Sequence, residues 1–246
     1  MKFKFSLMKK TLMSWSSGKD SAWALYQLQR DPTIELMGLV CTINEEFDRV
    51  AMHGVRVELL KAQASSIGLP LEILALPNPC SHKDYEQIMG DFVARIKEDG
   101  IECMAFGDLY LEDIRAYREE AMAGSGITPI FPLWNIPTKQ LSREMLDNGL
   151  RTVITCIDPK QVPVELAGRE YDHAFLDELA DSVDPCGENG EFHSFVFDGP
   201  MFRNKIEITV GEIVERDNFI FADLLPDNTV ASQPIETISR TYSDET

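Results

Sequence analysis

The sequence predicts an α/β fold: a parallel β-sheet with helices on both faces, followed by a smaller α+β domain. Short apolar runs alternate with longer segments in which apolar residues recur at helical spacing. This alternation is typical of βαβ units, which build parallel sheets. The pattern changes at the proline-flanked segment 132–137. We therefore expect an N-terminal domain over 1–134, a C-terminal domain over 135–226 and a flexible polar tail over 227–246.

Predicted strands and helices alternate along the N-terminal domain. Predicted strands lie at 12–15, 34–41, 71–76, 103–106 and 128–131. Predicted helices lie between them, beginning near residue 20 and then covering 51–67, 85–96 and 113–123. The run IELMGLVC favours a strand over a helix because it is short and contains Gly38. Gly68 and Pro70 end the helix before the third strand.

The C-terminal part has a mixed pattern. Thr138 is expected to cap a helix that reaches residue 148, and Gly149 stops it. A strand at 151–156 and a helix at 171–181 follow. The runs 206–214 and 219–224 predict two strands of an antiparallel piece.

Residues 16–21 form the loop SSGKDS, which joins the first strand to the first helix. The first N–H groups of a helix have no intrahelical partner, and the helix dipole adds partial positive charge there. Gly18 permits close backbone approach, Lys19 adds a full charge, and the serines add hydroxyl donors. This arrangement predicts a phosphate site. The loop is not a Walker A motif, because Met13 and Asp20 stand where that motif needs Gly and Ser/Thr; a plain serine-capped helix start is the alternative.

Ligands of parallel α/β sheets bind beyond the carboxyl ends of the strands. The loops after the first, second and fourth strands should therefore meet in one crevice. That places 16–21, 42–44 and 107–108 together.

The segment 186–193, CGENGEFH, is the second concentration of polar residues. It combines two carboxylates, an amide and an imidazole around two glycines. Because Asn-Gly is a common tight-turn dipeptide, a solvated hairpin turn is one interpretation. The apolar stretch that follows, 193–197, would instead anchor these side chains on a rigid strand and so favours a functional loop.

Composition narrows the possible partners. The 246 residues are 44% hydrophobic and carry a net charge of −18. So acidic a surface argues against nucleic acid and anionic membranes as partners. The five cysteines contain no C-x-x-C pair, which disfavours a zinc or dithiol site and suggests free thiols in the cytoplasm. The short apolar part of MKFKFSLMKK does not resemble a signal peptide.

The loop SSGKDS resembles the S-G-G-K-D-S signature of the PP-loop ATP pyrophosphatases, with Ser17 in place of the first Gly. Serine costs little at that position if its φ is negative. Together with G-E-N-G-E-F-H-S and D-G-P-M-F near the end, the chain resembles the diphthine–ammonia ligase family over about 8–225. The resemblance implies a Rossmann-like (HUP-type) ATP-binding domain and a smaller C-terminal domain that binds substrate.

The family resemblance implies an ATP-dependent amide ligase. A substrate carboxylate attacks the α-phosphate of ATP, pyrophosphate leaves, and ammonia displaces AMP from the acyl-adenylate. Residue 2 is Lys rather than the Cys of N-terminal-nucleophile amidotransferases, so free ammonia is the expected nitrogen donor. The acceptor would be diphthine on elongation factor 2, or a small carboxylic acid. A homodimer would be ordinary.

The resemblance and the residue chemistry together assign roles. The ATP-binding residues would be Ser16, Ser17, Gly18, Lys19, Asp20, Ser21, Thr42, His53 and Gly107. The substrate-binding residues would be Gly187, Glu188, Asn189, Gly190, Glu191 and His193. Lys19, Glu188 and Glu191 are the catalytic candidates, and Asp20 or Asp108 would hold Mg²⁺.

Two other functions fit the loop SSGKDS. A tRNA-thiolating enzyme of the same superfamily would need a basic surface and usually paired cysteines, which this chain lacks. A non-catalytic adenine-nucleotide sensor would not need the second polar segment at 186–193. A ligase that acts on a different small carboxylate stays open as an alternative.

Overall fold

The computed structural model describes residues 8–46, 49–50, 54–227 and 237–240, and within them it has two β-sheets. The strands are β1 (Lys9–Ser14), β2 (Ile34–Asn44), β3 (Arg49–Val50), β4 (Leu71–Leu76), β5 (Cys103–Ala105), β6 (Thr128–Ile130), β7 (Arg151–Ile157), β8 (Phe192–Asp198), β9 (Ile208–Arg216), β10 (Phe219–Pro226) and β11 (Thr237–Arg240). The helices are α1 (Lys19–Gln29), α2 (Val57–Ile67), α3 (His82–Glu98), α4 (Glu112–Ala121), α5 (Thr138–Asp147) and α6 (His173–Glu178), with a 3-10 turn at Val164–Leu166.

The first sheet has the strand order β11-β4-β2-β1-β5-β6, and β3 pairs with β2 at its end. All neighbours along that order are parallel, whereas the short β3 is antiparallel to β2. The predicted parallel α/β sheet is therefore confirmed. The helix predicted over 51–67 begins at Val57 among the described residues, and 51–53 lie outside them.

Neighbouring residues of β1 bury their side chains in two different clusters. Met13 packs in the cluster that contains Trp23 of α1 and Leu59 of α2. Leu12 packs in the cluster that contains Phe92 of α3. Because successive strand residues face opposite sides of a sheet, helices cover both faces. Burial of one such large apolar side chain contributes roughly 1.5–3 kcal/mol.

Helices α3 and α4 begin in different ways. Ser81 caps α3 in a reciprocal capping box: its hydroxyl accepts from the N–H of Asp84 at 3.1 Å, and the Asp84 carboxylate accepts from the N–H of Ser81 at 3.1 Å. The N-cap of α4 is Leu111, which provides no side-chain cap. Sequence patterning placed both helices to within a few residues, as expected for segments with strong helical periodicity.

The second sheet is antiparallel, with the strand order β8-β7-β10-β9. Tyr171, Phe175 and Phe192 pack together in its core, with Tyr171 and Phe175 ring centroids 5.3 Å apart. The smaller α+β part is thus confirmed. The helix predicted over 171–181 is shorter than expected, since α6 begins after Asp172, whose carboxylate accepts from the N–H of Phe175 at 2.7 Å.

The prediction of a flexible tail is wrong for residues 237–240. They form β11, which pairs with β4 in parallel register, Thr237 opposite Leu71 and Arg240 opposite Leu74. Without β11, β4 would be an edge strand with unpaired backbone N–H and C=O groups. A segment can pair with these groups through its own backbone, even when its sequence lacks the apolar periodicity that predicts a strand. Residues 228–236 and 241–246 of the predicted tail lie outside the described residues.

The two sheets meet at the loop SSGKDS. The carbonyl of Ser17 accepts from the N–H of Val196 on β8 and from the side-chain amide of Gln63 on α2, both at 3.0 Å. The Gln63 amide also donates to the Val196 carbonyl at 2.7 Å and accepts from the Trp15 indole at 2.8 Å. Gln63 is fully buried, and these bonds hold the loop against the second sheet. In the part of the chain that the structure describes, no helix has the length and apolarity needed to span a bilayer.

Candidate functional site

A cavity of about 260 Å³ lies where the carboxyl ends of β1 and β5 face the segment before β8. Its wall contains the predicted ATP-binding residues Ser16, Gly18, Lys19, Asp20, Ser21 and Gly107. It also contains the predicted substrate-binding residues Gly187, Glu188, Gly190 and His193, and the second metal candidate, Asp108. Tertiary structure therefore brings together residues that are far apart in the chain and belong to different sheets.

Of the predicted site residues that the structure describes, four are not in this wall. Thr42 lies on β2, in register with Leu74 of β4. Ser17, Asn189 and Glu191 do not line the cavity but bond to the loops that do. His53 lies outside the described residues.

The loop SSGKDS is shaped by its own serines. The hydroxyls of Ser16 and Ser21 lie 3.0 Å apart, and the Ser21 hydroxyl donates to the Gly18 carbonyl at 3.0 Å. Gly18 is the N-cap of α1 and supplies no side chain to cap the first turn. A Cβ added at Gly107 would lie 2.8 Å from the Ser21 nitrogen, so only glycine allows the loop after β5 to approach α1 this closely. The backbone of the loops after β1 and β5 thus lines the cavity, and this arrangement is suited to binding an anion.

The φ of Ser17 is +70°, in the left-handed region. Serine would cost little here only with a negative φ, and that condition is not met. This conformation directs the Ser17 carbonyl to Gln63 and Val196. Among the described residues the buried Ser17 hydroxyl has no hydrogen-bond partner. Both features cost free energy that glycine would avoid.

We expect Ser17→Gly to increase the free energy of unfolding by about 1 kcal/mol, because relief of the left-handed strain and of the buried hydroxyl exceeds the entropic cost of glycine. Urea unfolding monitored by tryptophan fluorescence measures it. Ser17→Ala is the control, since alanine removes the hydroxyl but keeps the strain. A gain for Ser17→Ala equal to that for Ser17→Gly would show that φ plays no part.

Lys19 is 2% exposed and lies between the two halves of the site. Its ammonium pairs with the Asp20 carboxylate at 2.8 Å and donates to the carbonyl of Cys186. It also lies 5.3 Å from the centre of the Phe192 ring. Burial acts to lower the pKa of Lys19, but the charge and hydrogen bond of Asp20, together with the charges of Cys186 and Glu188, outweigh burial and raise that pKa. Lys19 therefore carries a stable positive charge in the cavity wall.

The backbone N–H of Lys19 also forms a hydrogen bond with a residue of the second sheet. The Lys19 N–H donates to the hydroxyl of Ser194 on β8 at 3.2 Å. Ser194 is 2% exposed and lines the cavity, although nothing in the sequence distinguished it from other serines. Lys19 thus binds the second domain through both its side chain and its backbone.

Glu188 connects the segment 186–193 to the first sheet. Its Oε1 accepts from the N–H of Leu109, in the loop after β5, at 2.8 Å. Next to it, the Tyr110 hydroxyl lies 3.1 Å from the Asn189 Oδ1. Burial raises the pKa of Glu188 to about 7, against the opposing effect of the Leu109 N–H. A carboxyl group with a pKa near neutrality, in a cavity wall, is suited to general acid–base chemistry.

Glu191, the other catalytic candidate in this segment, is 1% exposed and bonded to its own loop. Its Oε1 accepts from the N–H of Asp184 at 2.9 Å and from the side-chain amide of Asn189 at 3.0 Å. Its Oε2 accepts from the N–H of Asn189 at 2.8 Å. These bonds shape the turn that presents Glu188. The two glutamates, three residues apart, thus have different surroundings.

His193 is the second residue of β8 and lines the cavity. Burial, assisted by the positive charge of Lys19, lowers its pKa to about 4. The imidazole is therefore neutral at physiological pH and is a hydrogen-bonding group rather than a cation.

The two metal candidates provide separate carboxylates in the same wall. The Oδ1 of Asp20 is buried without a hydrogen-bond partner among the described residues, while its Oδ2 pairs with Lys19. Asp108 has its Oδ2 3.5 Å from the Nε of Arg118. Within the described ranges, no group of three or more His, Cys, Asp or Glu side chains could hold a metal ion. Mg²⁺ with one or two carboxylates and substrate oxygens fits such a wall, because the Asp20 Oδ1 and the Asp108 Oδ2 are both buried there without a hydrogen-bond partner among the described residues.

Arg118 is the main site residue that sequence reasoning missed. It projects from α4, with its guanidinium 4.9 Å from the centre of the Phe106 ring and its Nε near Asp108. It supplies a second positive charge to the cavity wall. No sequence signal separated it from Arg115 on the same helix, because only the packing of α4 beside β5 shows which arginine faces the site.

Comparison with known proteins identifies the family of this chain. The model of the diphthamide synthase N-terminal domain matches residues 8–129, and that of the diphthamide synthase C-terminal domain matches residues 137–223. The chain belongs to the diphthamide synthase family. The gap between the matched regions falls at the proline-flanked segment 132–137. Each sheet of the family fold thus contributes one side of the cavity.

Proteins named diphthine–ammonia ligase are similar to this family member over most of its length. The Danio rerio protein is 26% identical over 73% of this chain and 76% of its own. The Mus musculus protein is 26% identical over 84% of this chain and 85% of its own. The Homo sapiens protein is 25% identical over the same shares. These similarities support a ligase function.

Proposed function

We propose that this protein is an ATP-dependent amide ligase that adenylates a substrate carboxylate and transfers ammonia to it. The observation that carries the proposal is the shared cavity: the loop SSGKDS and Glu188 form opposite parts of one wall. A phosphate-binding loop alone would serve any nucleotide-binding protein. A carboxyl group of pKa about 7 beside it supplies what an acyl-transfer step needs.

In the first step the acceptor carboxylate attacks the α-phosphorus of ATP, and the bond to the bridging β-phosphate oxygen breaks. The N-terminus of α1 and the hydroxyls of Ser16 and Ser21 bind the phosphates. Lys19 stabilises the charge that develops on the leaving pyrophosphate. The products of this step are an acyl-adenylate and pyrophosphate. The adenosine part would extend over the carboxyl end of β2, beside Thr42.

In the second step the nitrogen of ammonia attacks the acyl carbon, and the carbon–oxygen bond to AMP breaks. Ammonium loses one proton to solvent before the attack. The nitrogen loses a second proton after the attack, and Glu188, in its ionised form, accepts it. The neutral His193 supplies a hydrogen bond beside it, without adding charge that would repel ammonium.

Mg²⁺ would be held by the Asp20 Oδ1, with Asp108 as the second candidate. When bound, it would neutralise phosphate charge. Asp20 also keeps Lys19 in place through their ion pair at 2.8 Å. The same residue would thus serve the metal with one oxygen and the lysine with the other.

The relatives' name suggests diphthine as acceptor, and the family resemblance implies that it lies on elongation factor 2. A different small carboxylate is the alternative, and neither acceptor is nucleic acid. We place the protein in the cytoplasm, because all five cysteines are free thiols. A homodimer stays a prediction.

The decisive experiment follows labelled ATP with ammonium, Mg²⁺ and a panel of carboxylates that includes diphthine-bearing elongation factor 2. We expect AMP and pyrophosphate in equal amounts, formed only with the true acceptor. ADP and phosphate as products would exclude an acyl-adenylate. Tight ATP binding without turnover on every acceptor would favour the nucleotide sensor instead.

A further inference from the structure

Arg118 is a cation of the cavity wall that takes no part in the two steps proposed above. It lines that cavity and also a second one, of about 440 Å³, between α3 and α4. The lining of the second cavity includes the carboxylates of Glu86 and Glu120, which would repel an anion. An anion bound to Arg118 would therefore lie on the side of the loop SSGKDS.

A short series of contacts connects Arg118 to the phosphate-binding loop. Gly107 packs against the start of α1, since a Cβ added to it would lie 2.8 Å from the Ser21 nitrogen. Asp108 is the next residue, and its Oδ2 lies 3.5 Å from the Arg118 Nε. Arg118 thus approaches the start of α1 from the side of β5 and α4, whereas Lys19 belongs to α1 itself.

The contact between Arg118 and Asp108 leaves both groups short of hydrogen bonds. The Arg118 Nε and the Asp108 Oδ2 are buried, and neither has a hydrogen-bond partner in the part of the chain that the structure describes. The guanidinium is positioned instead by the Phe106 ring, whose centre lies 4.9 Å away. Buried polar groups without partners cost free energy. A ligand that brings oxygens to Arg118 and a cation to Asp108 would remove this cost, and a magnesium-bound phosphate chain brings both.

Lys19 is poorly placed to neutralise a whole triphosphate by itself. It is 2% exposed, and its ammonium already pairs with Asp20 and donates to the carbonyl of Cys186. A triphosphate spreads its charge over three phosphorus centres, so a second cation is needed away from the lysine. The guanidinium of Arg118 suits that place, because its planar fork can donate to two phosphate oxygens at once.

We propose that Arg118 binds the β- and γ-phosphates of ATP and continues to bind them as pyrophosphate leaves. The proposal rests on the proposed function and divides the charge between two cations. Lys19 stabilises the bridging oxygen released from the α-phosphorus, and Arg118 stabilises the terminal phosphates. Asp108, the second metal candidate, would serve the Mg²⁺ that accompanies them. AMP has no phosphates for Arg118 to hold, so this arginine makes the site prefer ATP to AMP.

The experiment measures binding of ATP, pyrophosphate and AMP to the full-length protein by calorimetry, with a fixed excess of Mg²⁺ and without acceptor or ammonia. We expect Arg118→Met to weaken the binding of ATP and of pyrophosphate by about 10–100-fold and to leave AMP affinity unchanged. Arg118→Lys keeps the charge but loses the fork, so it should weaken the same two ligands only several-fold.

Arg115→Met is the matched control. Arg115 projects from the same helix, pairs with Glu119 at 2.7 Å and lies over the Trp134 ring at 4.7 Å. Its loss removes one positive charge from α4 without changing the cavity wall, so all three affinities should be preserved. Equal losses of pyrophosphate affinity in Arg115→Met and Arg118→Met would reduce the effect to the net charge of the helix and would overturn the proposal.

A second pair of variants separates direct binding from an effect through Asp108, whose carboxylate would repel phosphates once Arg118 is gone. Arg118→Met is therefore also made in an Asp108→Asn background. We expect the double variant to bind pyrophosphate about 10-fold more weakly than Asp108→Asn alone. Equal affinities of these two proteins would show that Arg118 only neutralises Asp108, and would overturn the proposal.

Two further outcomes count against this role of Arg118. Unchanged pyrophosphate affinity in Arg118→Met would overturn it, and so would a loss of AMP affinity equal to the loss of ATP affinity. Failure of AMP formation with every acceptor would instead contradict the proposed function, because the binding experiment contains no acceptor and still tests the arginine.

Discussion

Lys19→Met is expected to reduce pyrophosphate release by about 10²–10³-fold, because the variant has no cation to stabilise the leaving group. It should also lower the free energy of unfolding by about 3 kcal/mol, since the largely buried Asp20 loses the partner 2.8 Å away. We place this cost at the lower end for a broken buried pair because Asp20 keeps a quarter of its side chain exposed. Labelled-ATP assays and urea unfolding measure the two effects.

Two variants separate these effects. Lys205→Met removes an exposed lysine paired with Glu207 at 2.8 Å, so it should cost less than about 1 kcal/mol and leave turnover intact. Lys19→Met combined with Asp20→Asn removes the unpaired charge and should recover most of the lost stability, but not activity. Wild-type pyrophosphate release by folded Lys19→Met protein would refute the assigned role of this lysine.

Glu188→Gln is expected to slow amide formation by about 10²-fold, because glutamine cannot accept a proton. The pKa of Glu188 is about 7, so the wild-type rate should rise with pH through neutrality as the carboxylate forms. The variant should lose this inflection. Its amide oxygen can still accept from the Leu109 N–H, so ATP affinity should not change. Rate–pH profiles at saturating ATP and ammonia measure both outcomes, and an unchanged inflection in the variant would exclude Glu188 as its source.

The raised pKa of Glu188 also predicts that the free energy of unfolding depends on pH. Because folding raises the pKa of Glu188 from about 4.5 to about 7, the folded protein holds this proton more tightly than the unfolded chain. The resulting stabilisation is present below pH 4.5 and is lost as the pH rises to 7. Glu188→Gln keeps the neutral form at all pH values, so it should be more stable than wild type by up to about 3 kcal/mol at pH 8.

Glu191→Gln is the matched comparison. Glutamine would turn an NH₂ group toward the N–H donors that the Glu191 oxygens now serve, at Asp184 and Asn189. Loss of these bonds should destabilise the protein by about 1–3 kcal/mol. The neutral inflection of the rate should remain. Opposite effects on stability from the same change, three residues apart, would distinguish a proton acceptor from a residue that supports its loop.

Sequence patterns alone predicted the parallel sheet, the strand–loop–helix at 9–29 and the polar segment before β8. These features depend on local rules: apolar runs, helical periodicity and the phosphate-binding chemistry of a helix start. The adjacency of the loops after β1 and β5 also followed, because parallel strands end at the same edge of the sheet.

The different environments of residues that are neighbours in the chain result from long-range packing. Glu188 lines the cavity while Glu191 binds its own turn, and Arg118 faces the site, where Arg115 lies instead over the Trp134 ring at 4.7 Å. The left-handed Ser17 is set by hydrogen bonds from another helix and another sheet. Burial, charge pairing and backbone strain arise from contacts between segments distant in the chain, and no local pattern encodes them.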